Sequence, residues 1–414
     1  MLHFYNEVPV ATVLASAFYL SLLVYVTIPS FHAWLDDRLM MPQPSSQSFI
    51  QPLEGFRGIA ALMVVVFHAW QWLIPYNDEI QDVFRFISRG TKAVPIFVVL
   101  SGFLIYRSLR NGFDIDKLQK YVVRRFLRIY PLYAATIIVS LFAGYLAVRE
   151  PIFQHFLAEI LMARTLGYEY FLNPQSWSLY VEVQFYIILP VIVSIFRENR
   201  IRWSILVIGL LFLTDFAGPR EFGLWKYFFF GIIACEWVEL RKADYKWSGE
   251  ILFGIGMVLF ILDYGYGEVW FSNLMNMLFA KNGIPLIMPR GGGANPELTM
   301  GLGFAALFLL VGAVTCGEKL RRALAIKPLH YLGVISYSVY MWHSFVLIAD
   351  FPIIFDGAGS LTRTGEFHGR AAIFVLPFVI IPAVLFVSTA SFILIERPFL
   401  NLYRSRRQES KRGS

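Results

Sequence analysis

The sequence predicts an all-α integral membrane protein of about eleven transmembrane helices, a core of about ten preceded by one extra N-terminal helix. Three observations predict it. The 414 residues have a mean hydropathy of +0.58, with 57% hydrophobic and 16% charged side chains, far from the balance of a water-soluble domain. The apolar residues are gathered into runs of about 20, the length a helix needs to cross a hydrocarbon core of about 30 Å. The segments between these runs alternate in charge along the chain.

On run length, spans are expected near residues 8–30, 54–76, 92–107, 129–148, 176–196, 202–218, 222–240, 249–264, 297–316, 331–350 and 370–395. No alternating strand pattern of about ten residues per segment is present, which excludes a transmembrane barrel. The first run, from Val8 to about Ser30, has no basic segment before it, since the first Lys or Arg is Arg38, so a cleaved signal peptide is not expected. Residues 36–52, with Pro42, Pro44, Ser45, Ser46, Gln47, Ser48 and Pro52, read as a linker. The chain therefore divides into an added helix and linker (1–52), a transmembrane domain (53–400) and a basic tail (401–414).

The basic connecting segments are 107–128, 197–202, 241–246, 317–330 and the tail after Glu396. With eleven spans, about 25 of the 36 Lys and Arg residues fall on that side, which should be the cytoplasm, and about 11 on the other. An external N-terminus and a cytoplasmic C-terminus follow. The net charge of +7 and pI near 9.3 are accounted for by topology and call for no nucleic acid. Two external segments stand out: 149–175, with a short surface helix expected around Phe156 to Arg164, and the Gly- and Pro-rich stretch from Lys281 to Glu297, either a lid or a passive connector. Cys235 and Cys316 give neither a disulfide framework nor metal-ligand spacing, and no metal is expected.

Ionisable side chains inside spans cost about 2.5–3.5 kcal/mol each on insertion, so each is a functional candidate. His68 lies about 18 Å from the cytoplasmic start of its helix, and His343 enters its helix from the same side to a similar depth. Glu182 lies about 10 Å below the external surface, so the three are expected to converge near or somewhat outside the midplane. Arg57 precedes His68 by three helical turns and projects from the same face at the cytoplasmic mouth. Arg124, Arg125 and Arg128 stand at the cytoplasmic end of the fourth span, where they either fix topology or, beside Arg57, receive phosphate oxygens.

Several blocks of residues then point one way. Leu53-Glu54-Gly55-Phe56-Arg57-Gly58-Ile59-Ala60-Ala61 leads to Phe67-His68, and Phe97-Val98-Val99-Leu100-Ser101-Gly102-Phe103-Leu104-Ile105 follows. Next come Arg124-Arg125-Phe126-Leu127-Arg128-Ile129-Tyr130-Pro131 and Trp177-Ser178-Leu179-Tyr180-Val181-Glu182-Val183-Gln184-Phe185-Tyr186. Ile335-Ser336-Tyr337-Ser338-Val339-Tyr340-Met341-Trp342-His343 and Glu396-Arg397-Pro398 close the series. These six blocks, in this order, resemble the acyltransferase 3 family of membrane acyltransferases. The chain departs from the family pattern at Pro95, where many members have Asp, at Val183, which replaces a second Glu, and after His343, where no Pro follows closely.

The resemblance implies transfer of an acyl group, usually acetyl, from cytoplasmic acyl-CoA to a hydroxyl of an extracytoplasmic acceptor, often an envelope saccharide or lipid-linked glycan, in a bacterial inner membrane. Acetyl-CoA would anchor its phosphates on Arg57, Arg125 and Arg128 and pass its pantetheine arm inward past Ser101 and Gly102, where glycine permits close backbone approach. His68 would remove the acceptor hydroxyl's proton, imidazole having a pKa near operating pH, with an acyl-histidine intermediate as the rival scheme. Glu182 either orients His68 or binds the acceptor, and His343 is a candidate to polarise the thioester carbonyl. The competing class is a secondary transporter, which also uses buried ionisable residues but predicts related halves, and no internal repeat is found. The acceptor and the oligomeric state are not legible.

Overall fold

The computed structural model describes residues 9–39, 51–73, 87–148, 153–162, 172–173, 175–196, 199–214, 220–240, 248–266, 299–354 and 376–402. These residues are predominantly helical, with no strand among them. In chain order they form α1 (Pro9–Thr27), α2 (Pro29–Arg38), α3 (Gln51–Leu73), a 3-10 turn (Ile87–Lys92), α4 (Ala93–Leu109), α5 (Ile115–Val148) and α6 (Phe153–Ile160). Then follow α7 (Ser176–Ile195), α8 (Arg200–Thr214), α9 (Arg220–Leu240), α10 (Ser248–Tyr266), α11 (Met300–Thr315), α12 (Glu318–Leu324), α13 (Lys327–Val334), α14 (Ser336–Ile354) and α15 (Leu376–Leu402).

Helix lies on each of the eleven expected segments. Among the described residues, five helices are long and apolar enough to cross a membrane, or up to seven if each of two bent pairs counts as one span. Large apolar side chains stand exposed on their outer faces, among them Val26 at 73%, Ile187 at 71% and Leu394 at 74%, as lipid contact allows and water does not.

The helix boundaries add detail to the expected ones in several places. The first span is not straight: α1 and α2 meet at 114°, because Pro29 opens a new helix at its first turn after Ile28 adopts an extended conformation. The helix that carries the fourth expected span starts well before 129, since α5 runs for 34 residues from Ile115. That is about 51 Å of helix, so its charged first turns project beyond the hydrocarbon and carry the arginine block within the helix. The 317–330 segment is also ordered, as α12 and α13. The expected surface helix is found a few residues early, as α6. The Lys281–Glu297 stretch and the start of the last span, 370–375, lie outside the described residues.

Two apolar clusters hold the bundle. One centres on α4 and α9, with Phe103, Phe185, Phe228 and Val311 fully buried, and the other joins α3, α14 and α15 through Ala61, Val65, Val339 and Ala383. Close crossings between helices depend on paired glycines. A Cβ on Gly102 would lie 2.4 Å from the Phe228 carbonyl oxygen, and one on Gly231 2.3 Å from that of Val99, so α4 and α9 touch backbone to backbone. Likewise a Cβ on Gly58 would lie 2.5 Å from Leu332 and one on Gly333 2.1 Å from the Glu54 oxygen, which seats α13 directly on the first turns of α3.

Candidate active site

The site is built where α3, α4, α5, α7, α14 and α15 meet, and it has two layers. In the first, the imidazoles of His68 and His343 stack, with centroids 5.2 Å apart and planes inclined by 29°. His343 is 0% exposed, whereas His68 is partly exposed. The His343 ring is held at both nitrogens. Its Nδ1 faces only carbonyl oxygens, Tyr340 at 2.8 Å and Val339 at 3.2 Å, so the N–H is assigned there and donates to them. Nε2 is then the lone-pair side and accepts from the Gln175 amide at 3.0 Å.

Gln175 is itself fixed from the turn that opens α7. Its backbone N–H donates to the Asn173 side chain at 3.1 Å, the Asn173 amide donates to the Met341 carbonyl at 3.2 Å, and the Gln175 side chain also donates to Ser344. The Tyr340 hydroxyl donates to the Gln175 carbonyl at 3.2 Å and lies 2.6 Å from the Ser178 hydroxyl. The start of α7 and the first half of α14 are thus laced together around His343, and Trp342 ties α14 to Ser391 of α15 at 2.8 Å.

The second layer carries the charges. Arg57, eleven residues before His68 and so about 16 Å down the same helix face, pairs with Glu54 at 3.3 Å and lies within electrostatic reach of Arg128, Glu182 and Tyr186. Arg125 and Arg128, three residues apart on α5, share a half-buried face, while Arg124 points outward and is exposed. The Arg125 guanidinium lies over the rings of Tyr186 at 5.6 Å and Tyr121 at 5.8 Å. Its buried Nε makes no hydrogen bond to the described residues.

Glu182 accepts hydrogen bonds from Ser101 of α4 and Tyr186 of its own helix. It lies about 10 Å further along α7 than Gln175, the residue that touches His343. The sequence-derived convergence therefore divides: the histidines meet each other, and Glu182 belongs to the arginine layer, within reach of Arg57 and Arg125. At Gly102 the space where a side chain would lie is filled by the Phe228 backbone, so the missing side chain serves the α4–α9 crossing.

Three residues of this site were not singled out from the sequence. Gln175 is uncharged and just precedes the Trp-Ser-Leu block, so a search for ionisable groups passes over it. Tyr186 closes that block. Glu396 stands in a π-helical turn of α15, is 4% exposed, accepts from Ser338 and faces Arg57 and Arg128, supplying a carboxylate to the arginine layer. The Tyr337 hydroxyl donates at 2.9 Å to the Ile129 carbonyl, near Pro131, and fixes α14 to α5 beside Arg128.

Comparison with known proteins identifies the family. The acyltransferase domain of the acyltransferase 3 family matches residues 50–397. The candidate acetyltransferase ORF330 of Acidianus two-tailed virus is 27% identical over 294 residues, covering 69% of this chain and 80% of that protein. The O-acetyltransferase OatA of Staphylococcus aureus strain NCTC 8325 is 25% identical over 340 residues, 73% of this chain and 51% of its own length. A candidate O-acetyltransferase of S. aureus strain COL, SACOL0978, is 24% identical over 389 residues, 85% of this chain and 57% of its own. The chain thus spans about half the length of the staphylococcal relatives. No solved structure matches it. With residues 50–397 matched by this domain, the chain belongs to the acyltransferase 3 family.

Proposed function

We propose that the protein carries an acetyl group from cytoplasmic acetyl-CoA to a hydroxyl on the far side of a bacterial inner membrane, the acceptor being an envelope saccharide or lipid-linked glycan. In this reading the eleven helices on the expected segments all span, α1 enters from outside, and the tail is cytoplasmic. The α1–α2 elbow is an addition to the transmembrane domain.

The observation that carries the proposal is the pairing of the two layers on one helix face. Arg57 and His68 project from the same side of α3, separated by about 16 Å. Arg57, Arg125 and Arg128 supply guanidinium forks for the phosphates of the donor, and the buried Arg125 Nε has no hydrogen-bond partner among the described residues. The thioester arm then extends toward the histidines past Ser101. His68, the more open of the pair, removes the proton of the acceptor hydroxyl as its oxygen attacks the thioester carbonyl. The C–S bond breaks, the thiolate takes the proton back from His68, and an O-acyl ester and free CoA result. His343 acts as a positioning residue, its ring pinned by Gln175 so that His68 packs on a fixed surface. Glu182 and Glu396 balance the arginines when the donor is absent.

Purified protein in sealed vesicles, given acetyl-CoA labelled in the acetyl group, should move the label to an added glycan acceptor or release it by hydrolysis. Absence of both, with uptake of a solute instead, would support the transporter reading.

A further inference from the structure

The short helix α6 (Phe153–Ile160) turns back along α5 and packs Phe156 and Ile160 against the first apolar cluster. The Tyr133 hydroxyl donates to the Glu159 carbonyl at 2.6 Å and the Tyr130 hydroxyl to that of Ile160 at 3.1 Å. These tyrosines stand 15 and 18 residues before α5 ends at Val148, so the last turn of α6 lies about 22–27 Å back from that end. It is level there with Tyr180 of α7, whose hydroxyl is 3.0 Å from that of Tyr133. Leu157 and Leu161 are exposed, while Glu159 is 1% exposed.

Helix stability does not account for an acid at that place. The last turn is the negative end of the helix dipole, and burial costs a carboxyl group further. Its contact accounts for it: Glu159 Oε1 accepts from the Leu172 N–H at 2.8 Å. Leu172 adjoins Asn173, whose amide donates to the Met341 carbonyl at 3.2 Å and whose side-chain oxygen accepts from the Gln175 N–H at 3.1 Å. The Asn173 carbonyl accepts from the Ser176 hydroxyl at 2.7 Å, and the Gln175 amide donates to His343 at 3.0 Å. A continuous chain of contacts therefore runs from α6 through the opening of α7 to the buried imidazole. We propose that Glu159 is a positioning residue for acyl transfer: by holding Leu172 it fixes Asn173 and Gln175, and through them the ring of His343 on which His68 stacks. The inference rests on the acyl-transfer role proposed for the histidine pair.

The test uses the full-length protein in bilayer nanodiscs, with hydrogen exchange over residues 172–176 as a measurement independent of activity and labelled acetyl-CoA for kcat and KM. In Glu159→Ala the Leu172 N–H loses its acceptor, so exchange over 172–176 should quicken and turnover should fall about tenfold, with KM for acetyl-CoA unchanged. Glu159→Gln keeps an oxygen for that N–H and should restore exchange and turnover to near wild type. Glu159→Ala should add little to the loss in Gln175→Leu, because both cut one chain of contacts, whereas a general loosening of the bundle would multiply the two losses. Should Glu159→Ala fail to insert, Glu159→Asp, which shortens the reach by one methylene, takes its place with the same expectation. The inference is overturned if Glu159→Gln is as slow as Glu159→Ala, if the two losses multiply, if KM for acetyl-CoA rises, or if exchange and turnover do not change together. The acyl-transfer reading survives each of those results. Failure of the wild type to transfer or release the label is the separate outcome that sinks that reading, and this inference with it.

Discussion

His68 of α3 and His343 of α14 stack with their ring centroids 5.2 Å apart, one partly exposed and the other fully buried. The inequality supports the roles proposed for them: the buried imidazole has both nitrogens engaged, and its neighbour is the more exposed of the two.

Loss of His68 should therefore abolish transfer while sparing insertion. His68→Ala is expected to reduce the rate by about 10²–10⁴-fold, the usual cost of losing a general base. His68→Gln should do nearly the same, because it keeps bulk and polarity and cannot take the proton. Retention of more than a few per cent of activity by either variant, measured with labelled acetyl-CoA, would remove His68 from the base role.

Gln175 should act through His343. Gln175→Leu leaves the His343 Nε2 buried without its donor, a loss of about 1–3 kcal/mol that frees the ring to turn. Turnover should fall about tenfold or more with little change in KM for acetyl-CoA, since the phosphate site we propose is in the other layer. A rise in KM with turnover intact would show that Gln175 contacts the donor instead.

The Gly102–Gly231 crossing makes a prediction about stability. Gly102→Ala places a methyl group 2.4 Å from the Phe228 carbonyl oxygen, with backbone on both sides and no flexible side chain to yield. The expected cost is about 1–3 kcal/mol, seen as a lower Tm in detergent. An unchanged Tm together with a raised KM for acetyl-CoA would return Gly102 to the donor path.

What the sequence revealed and what it hid divide along physical lines. Helices were legible because bilayer thickness sets a minimum apolar length: each expected run carries a helix, and five to seven of those among the described residues are long and apolar enough to span. The start of α5 was missed because Ile115 to Arg128 is too charged to register as apolar, although its helix continues unbroken. The 1.5 Å rise per residue put His68 and His343 at matching positions along their helices, and the two rings do meet. For Glu182 it gave a depth and no azimuth, and the structure turns the carboxylate toward Ser101 and Tyr186. Glu396 was visible in its motif, yet its pairing with Ser338 joins residues far apart in the chain and had no local signal.

The last prediction concerns Arg125 and Arg128. Both lie on the half-buried face of α5, and the Arg125 guanidinium lies over the rings of Tyr121 and Tyr186, an environment that a residue serving only to fix topology does not need. Lysine in either place keeps the positive charge that orients the helices and loses the planar fork that grips a phosphate with two parallel donors. At position 125 it loses the stacking between the two tyrosines as well. Each Arg→Lys variant should insert normally and show a raised KM for acetyl-CoA, about tenfold for one charge-assisted hydrogen bond of some 1.5–3 kcal/mol, with a smaller fall in turnover at saturating donor. Arg124→Lys, on the exposed face of the same turn, should leave the KM near wild type and serves as the control. Dephospho-CoA thioesters add a second measurement, since the variant lacking a contact to the missing phosphate should discriminate less between the two donors. Wild-type KM and wild-type discrimination in both variants would make the pair a topology signal, and the phosphate site would then have to be sought around Arg57.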